Sequence, residues 1–413
     1  MKAAGGFLAA TIALVPGTVL AQAQTQTYVD VQAGLGYSTN PLLVPGEDTG
    51  SGFARVSGSA FWGRTTERSA TNVSAYVENS SYFNRYSNKQ IFSLGAYTSR
   101  TLNERVRIYG DLGFSGDLGG MLSSRFYGPP LAPLAPNAAN PASPVIVDPG
   151  VQPGFIDGDP DLYNLQGRQY QLSAQVGAAV SLSARDSMTV SVGGRRLLSK
   201  ADGDSLNYNQ FDGSIGYERL LNERLSLGGR MVVQYSDYPG GGSVSSIGPQ
   251  ATLRAKVSEQ WDISTAIGFV RTRQDGGGSD EGDASFDLAL NGSICRNLEY
   301  ERFCGRISRR SQATYLGTSS TSTSASLDYS RRLSQRDSIQ LTASVVRAAG
   351  IRSAIMDQSS IFYTLAGSYD RKISDRLSAG VNVAARRFGL SGPDPKSDLG
   401  GSIFLRYRLG EIR

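Results

Sequence analysis

The feature that most limits how this chain can fold is a polar phrase that recurs between stretches of alternating residues. "LNER" stands at 102–105 and again at 221–224, and variants fill "RTTERS" (64–69), "SARDS" (183–187), "SEQ" (258–260), "RNLEYER" (296–302), "SQRD" (334–337) and "SDR" (374–376). Apart from one long gap, the phrases lie roughly 37 residues apart, a period that a solenoid or propeller would also show. A propeller blade, however, breaks its chain every ~8–12 residues to make four short strands. Each period here holds two long segments and one further break rich in Gly, Ser and Asp. The repeating unit is a long hairpin.

The segments alternate with the period of two expected of a wall with two unlike faces. In "LSLGGRMVVQY", Leu225, Leu227, Gly229, Met231, Val233 and Tyr235 take one side, and Ser226, Gly228, Arg230 and Gln234 the other. "QYQLSAQVGAAVSLS", "WDISTAIGF" and "LGGSIFLRYRL" repeat the pattern. Strands of about 11–13 residues are long for a soluble sandwich, where ~5–6 is usual, and match the length that crosses a bilayer at a tilt. A sheet in lipid must close, because lipid offers no partner to an edge strand. Eight short turns join nine hairpins, which gives about 18 strands between Tyr28 and Leu409, with 16 as the alternative. The expected fold is an all-β, up-and-down transmembrane antiparallel barrel with short periplasmic turns, longer extracellular loops and an aqueous lumen.

The ends fit export. Lys2, an apolar stretch from Phe7 to Val15 and the Ala21-Gln22-Ala23 site read as a signal peptide over 1–23, leaving a single barrel over 24–413. So few residues precede Tyr28 that no plug domain is expected before the first strand. Tyr407 and Leu409 are followed by "GEIR", so the terminal aromatic that usually closes such barrels is displaced.

The chain has no histidine. That removes Ser-His and Cys-His pairs, histidine bases and most zinc or iron sites, so neither an enzyme nor a cofactor is expected. The small net charge of +5 is spread evenly, unlike the clustered basic surface of a nucleic-acid binder, and no nucleic-acid partner is expected.

Two places break the pattern. A Pro-rich stretch over 117–167 reads as one long extracellular loop, which either folds into the pore or stays on the surface. Its Asp157, Asp159 and Asp161 begin like a calcium loop, but Leu162 replaces the glycine and Arg168 the bidentate Glu. The acidic "DGGGSDEGD" (275–283) reads as a solvated loop tip. Cys295 and Cys304 flank what reads as the longest periplasmic turn, and in a hairpin register they face each other. In an oxidising compartment they are expected to form a disulfide.

The polar face carries charge. Arg195, Arg230, Arg254, Lys256, Arg386, Arg406 and Arg408, with Glu78, Asp111, Asp212 and Glu218, fall on the side assigned to the lumen. They read as a ladder of cross-strand charge pairs, or more sharply as a basic constriction with a mild preference for anions.

"VQAGLGYSTNPLLVPGED", and Gly34 to Leu43 especially, resembles the opening of outer-membrane β-barrel porins of proteobacteria, where a G-x-G-Y-x-x-N-P-like segment starts the first loop. Such barrels are often encoded with exopolysaccharide synthesis and export genes, notably in sphingomonads. The resemblance implies an outer-membrane location in a Gram-negative cell and a role in solute passage or polysaccharide export. The partners it implies are outer-membrane lipid and lipopolysaccharide, the barrel assembly machinery, and polysaccharide or export proteins. A plugged barrel that docks an export assembly is the competing expectation.

Overall fold

The computed structural model describes residues 24–43, 46, 49–84, 86–118, 167–201, 205–238, 242–275, 283–313, 319–353, 356–390 and 395–410. The expected leader, nearly all of the Pro-rich loop with its Asp157–Asp161 run, and most of the 275–283 tip lie outside these residues. The described strands are β1 (Gln24–Ser38), β2 (Ser51–Thr65), β3 (Ser69–Tyr82), β4 (Lys89–Thr101), β5 (Val106–Asp117), β6 (Gly167–Ser181), β7 (Asp186–Ala201), β8 (Ser205–Asn222) and β9 (Leu225–Asp237). They continue as β10 (Ser243–Lys256), β11 (Trp261–Asp275), β12 (Asp283–Asn297), β13 (Glu301–Ala313), β14 (Ser319–Arg332), β15 (Asp337–Ser353), β16 (Met356–Lys372), β17 (Leu377–Leu390) and β18 (Lys396–Leu409).

Every strand pairs antiparallel with its sequence neighbours, and β1 pairs with β18, so the 18-stranded sheet closes on itself. No edge strand remains. At ~4.8 Å between strands and ~40° of tilt, such a cylinder is roughly 35 Å across at the backbone, too wide for facing side chains to meet. The strands run from 12 to 18 residues, most of them longer than the 11–13 expected, with β4, β5, β9 and β13 inside that range. β8, the longest, continues the ladder to Ser205 at the loop end, where it still pairs with Lys200 of β7.

The recurring polar phrase acts by side-chain capping. Ser183 Oγ accepts the backbone N–H groups of Arg185 and Asp186 at 3.1 and 3.0 Å, and Ser334 does the same for Arg336 and Asp337. Asn103 Oδ1 accepts from Arg105 and Val106 at 2.9 Å. A short Asn or Ser side chain thus satisfies donors that a tight turn would leave open. The turn between Cys295 and Cys304 is no longer than the others. β12 continues to Asn297 and β13 resumes at Glu301, so both cysteines sit inside strands, in register, and form a disulfide.

Exposure tells the two faces apart. Asp30, Gln32, Arg55 and Glu78 are buried, while their chain neighbours Val29, Val31, Val56 and Val77 are exposed. The polar face is the inner one. On the outer face Trp62, Tyr217, Trp261, Phe303, Tyr329, Tyr369 and Tyr407 collect near the turn end. Outward charges stand only at the two ends of the wall among the described residues. Asp337 and Arg347, ten residues apart on β15, mark them, with roughly 25 Å of uncharged surface between at the usual rise and tilt.

One seam departs from the simple cylinder. β12 and β13 pair only from Asn297↔Arg302 to Leu290↔Arg309, and above that point they part. Thr272 Oγ1 on the inner face of β11 donates to Ser311 Oγ on β13 at 3.0 Å, skipping β12 altogether. Thr321 of β14 donates to inward-facing Asp287 at 3.1 Å. The loop ends of β13 and β14 therefore lie inside the barrel, across a patch of the inner wall where Val244, Val270 and Ala289 are buried. Between the polar anchors Thr272 and Asp287 these three side chains are apolar, and covering them keeps them from water.

Candidate functional site

The pairing registers place Arg195, Arg230, Arg254, Lys256, Arg386, Arg406, Arg408, Glu78, Asp111, Asp212 and Glu218 on the inner face together. They fall into neighbouring groups. Arg408 holds Asp30 through two hydrogen bonds of 2.6 Å, a fork-on-carboxylate geometry. Arg406 reaches Asp370 at 3.2 Å and donates to Gln32 at 3.4 Å. Arg254 lies 3.8 Å from Glu218, which also accepts from Ser226. Arg230 donates to Gln250 at 2.7 Å, and Lys256 stands opposite Asp262 in the register. Asp111 and Asp212 lie within electrostatic reach of each other, with Arg195 beside Asp212.

The most enclosed of these groups is at the loop end. Arg386 of β17 and Asp398 of β18 form a salt bridge with neither side chain exposed. Asp398 also accepts from Ser38 Oγ at 2.5 Å and from the backbone N–H of Asn40 at 2.9 Å, and Arg386 donates to the Pro41 carbonyl at 3.2 Å. Pair and chain lock each other. The segment that opens the first loop turns inward here, and Leu43 packs on Phe362 and Phe388 of the inner wall. Leu43 adopts the left-handed backbone, φ 52°, which a bulky residue takes only under constraint. The N-P-L-L end of the sequence motif is thus a strap laid on the inner wall of β16, β17 and β18 at the mouth.

A second cluster faces the strap. Arg55 of β2 lies 3.2 Å from Glu78 of β3 and donates to Ser80 at 3.3 Å. Lys89 of β4, fully buried, is within electrostatic reach of Asp117, Glu78 and Arg386. Sequence reasoning found Arg386 and Glu78 but not Arg55, Lys89, Asp117 or Asp398. Their inward parity was legible in the alternation; their convergence depends on the first loop turning in. With the ends of β13 and β14 also inside, the loop-end mouth is narrowed from two sides, while the wall nearer the turn end is lined by Ser, Thr and paired charges.

No protein-family model matches the chain, and no curated protein matches it in sequence. Solved structures similar to it include the FrpB iron transporter of Neisseria meningitidis in its apoprotein form, at 9% identity and a TM-score of 0.46, over 88% of this chain and 61% of that one. The ferric citrate transporter FecA, unliganded, is similar at 9% identity and a TM-score of 0.46, over 90% of this chain and 63% of that one. OccK2 (OpdF) of Pseudomonas aeruginosa, in complex with glucuronate, is similar at 11% identity and a TM-score of 0.43, over 95% and 99%. The chain spans less than two thirds of the length of FrpB and FecA. Identities and scores this low leave the assignment of function to the chain's own residues.

Proposed function

We propose that the barrel spans the outer membrane of a Gram-negative bacterium, turn end in the periplasm and loop end at the cell surface, and passes polar solutes along its lumen. The observation that carries this reading is the contrast between the faces. A sheet that leaves Val29, Val31, Val56 and Val77 exposed and buries Asp30, Arg55 and Glu78 is inside-out for water and suited to lipid. Closure through β1 and β18 removes the unpaired edge that lipid would penalise.

The inner wall supports passage of hydrophilic cargo without chemistry on it. Arginines and lysines outnumber carboxylates among the described inward residues, which favours anions mildly. Export of a polysaccharide is the finer form of the reading; a wall of Ser, Thr and Arg suits a hydroxyl-rich chain, and the resemblance at Gly34–Leu43 points the same way. The strap at Leu43 and the inward ends of β13 and β14 favour one competitor, a barrel closed at the mouth that docks other export proteins.

Conductance in a planar bilayer separates them. A channel gives stable ohmic steps and, in a potassium chloride gradient, a reversal potential on the anion side. Silence from inserted protein favours the docking barrel, and a cation-side potential removes the anion preference. Recovery of the exported chain as a monodisperse, detergent-free solution would overturn the membrane reading itself.

A further inference from the structure

The outer wall carries an apolar groove of about 1080 Å³ that solute passage does not use. Its floor is one row of register partners across β11 to β18, starting Ser264–Ser293–Arg306 and ending Thr364–Arg386–Asp398. Their parity in the register turns those side chains inward, so the backbone of this row forms the floor on the outer face. Its walls are the outward rows on either side, with Ile294, Leu327 and Leu365 below and Ile307, Val345 and Tyr363 above. Asp328 and Thr342, in the next inward row, do not line it, so it opens away from the lumen.

Small residues make the depression. In the lower wall Gly305, Ala343 and Ala385 alternate with Ile294, Leu327 and Leu365. The groove also climbs. Ser264 is three residues from the turn end of β11, whereas Asp398 is two residues from the loop end of β18. It therefore crosses the uncharged belt diagonally and finishes at the loop-end rim.

Three outward arginines overhang its upper edge. Arg387 belongs to the upper wall, and Arg309 and Arg347 stand in the row above, each in register with Thr323. Strands two apart set Arg309 and Arg347 ~10 Å from each other. None of the three is in an ion pair among the described residues, and Arg309 Nε is buried with no hydrogen-bond partner. Guanidinium groups are weakly hydrated forks that match phosphate oxygens. A belt-deep apolar groove ending under two or three such forks is complementary to a lipid with acyl chains below and phosphates above.

We infer that this groove binds a phosphorylated glycolipid of the outer leaflet, acyl chain along the groove and phosphates at Arg309, Arg347 and Arg387. The inference rests on the membrane reading above. Its test is reconstitution of the full barrel in phosphatidylcholine nanodiscs containing bis-phosphorylated lipid A, with bound lipid measured by native mass spectrometry. Wild type should retain lipid A over phosphatidylcholine. The R309A/R347A/R387A variant should lose retention by about tenfold or more, and Ala325→Leu, which fills the groove, should lose it too. Both variants should keep the heat-modifiable mobility of a closed barrel. Equal retention by the triple variant would overturn the inference. So would lipid A binding no better than phosphatidylcholine, or a second copy on this face, detected by cross-linking through Ala325→Cys. Wild type that fails to insert would sink the membrane reading; wild type that inserts and conducts but keeps no lipid would sink only this one.

Discussion

Replacing Arg386 by Met should release the strap at the mouth, and the structure sets the size of the effect. Leu43 gains about 1.5–3 kcal/mol from burial against Phe362 and Phe388. Its left-handed backbone costs ~1–2 kcal/mol, so packing alone leaves the docked strap near balance. The buried pair decides the outcome. Removing Arg386 strands the Asp398 carboxylate without its cation, at a cost of roughly 3–5 kcal/mol if the strap stays in place. Undocking lets water reach Asp398 and avoids most of that cost. In an Asn40→Cys background, a buried position that leaves Leu43 in place, labelling by a water-soluble maleimide should therefore rise at least about tenfold on Arg386→Met, since each ~1.4 kcal/mol is a decade. Single-channel conductance should rise with it. The double change Arg386→Met with Asp398→Leu should leave labelling raised as well, because the Asn40 N–H and the Pro41 carbonyl lose the partners that hold the strap. Labelling of the single variant within twofold of its parent would refute the reasoning.

Changing Cys295 and Cys304 together to Ser should lower barrel stability by about 2.5 kcal/mol, the chain-entropy value for a loop with this separation of 9 residues, read as a lower temperature for the heat-modifiable gel shift. Leu341→Arg puts a charge on the outer belt and should cost ~2–4 kcal/mol of stability in bilayers, whereas Gln340→Arg, one residue away but facing the lumen, should insert normally; equal behaviour would mean the faces are misassigned. Gly268→Ala should impair assembly, because the added Cβ would stand 2.0 Å from the Pro249 carbonyl oxygen, a clash with backbone that no rotamer relieves; a normal yield of heat-modifiable barrel would contradict it.

The cylinder was legible because its information is local. Alternation assigns a face residue by residue, and Asn103, Ser183 and Ser334 mark turns through contacts two and three positions along. The disulfide followed from the same hairpin logic, although the turn between its cysteines is shorter than the polar run suggested. The mouth was less legible. Asp398 meets Ser38 across 360 residues of sequence, and no period links them. The parting of β12 from β13 left only a faint mark: "RISRRSQA" loses its alternation after Ile307, and it takes the hydrogen bonds of Thr272 and Thr321 to reveal that its end turns inward. Most strands ran longer than expected because pairing persists past the apolar belt, where alternation of hydrophobicity fades but backbone hydrogen bonds do not.

The disulfide has a consequence for fidelity. Sliding one strand past its neighbour by a single residue would exchange inside for outside all along it, and resistance to such a slip grows with the number of ladder rungs. Among the described residues the β12–β13 seam has the fewest rungs of any junction, because its upper part is given over to the inward-lying ends. A covalent link between two facing residues permits one alignment only. Cys295–Cys304 thus acts as a registration pin, letting this junction give up half its ladder to shape the mouth while still holding greasy residues out and charged ones in.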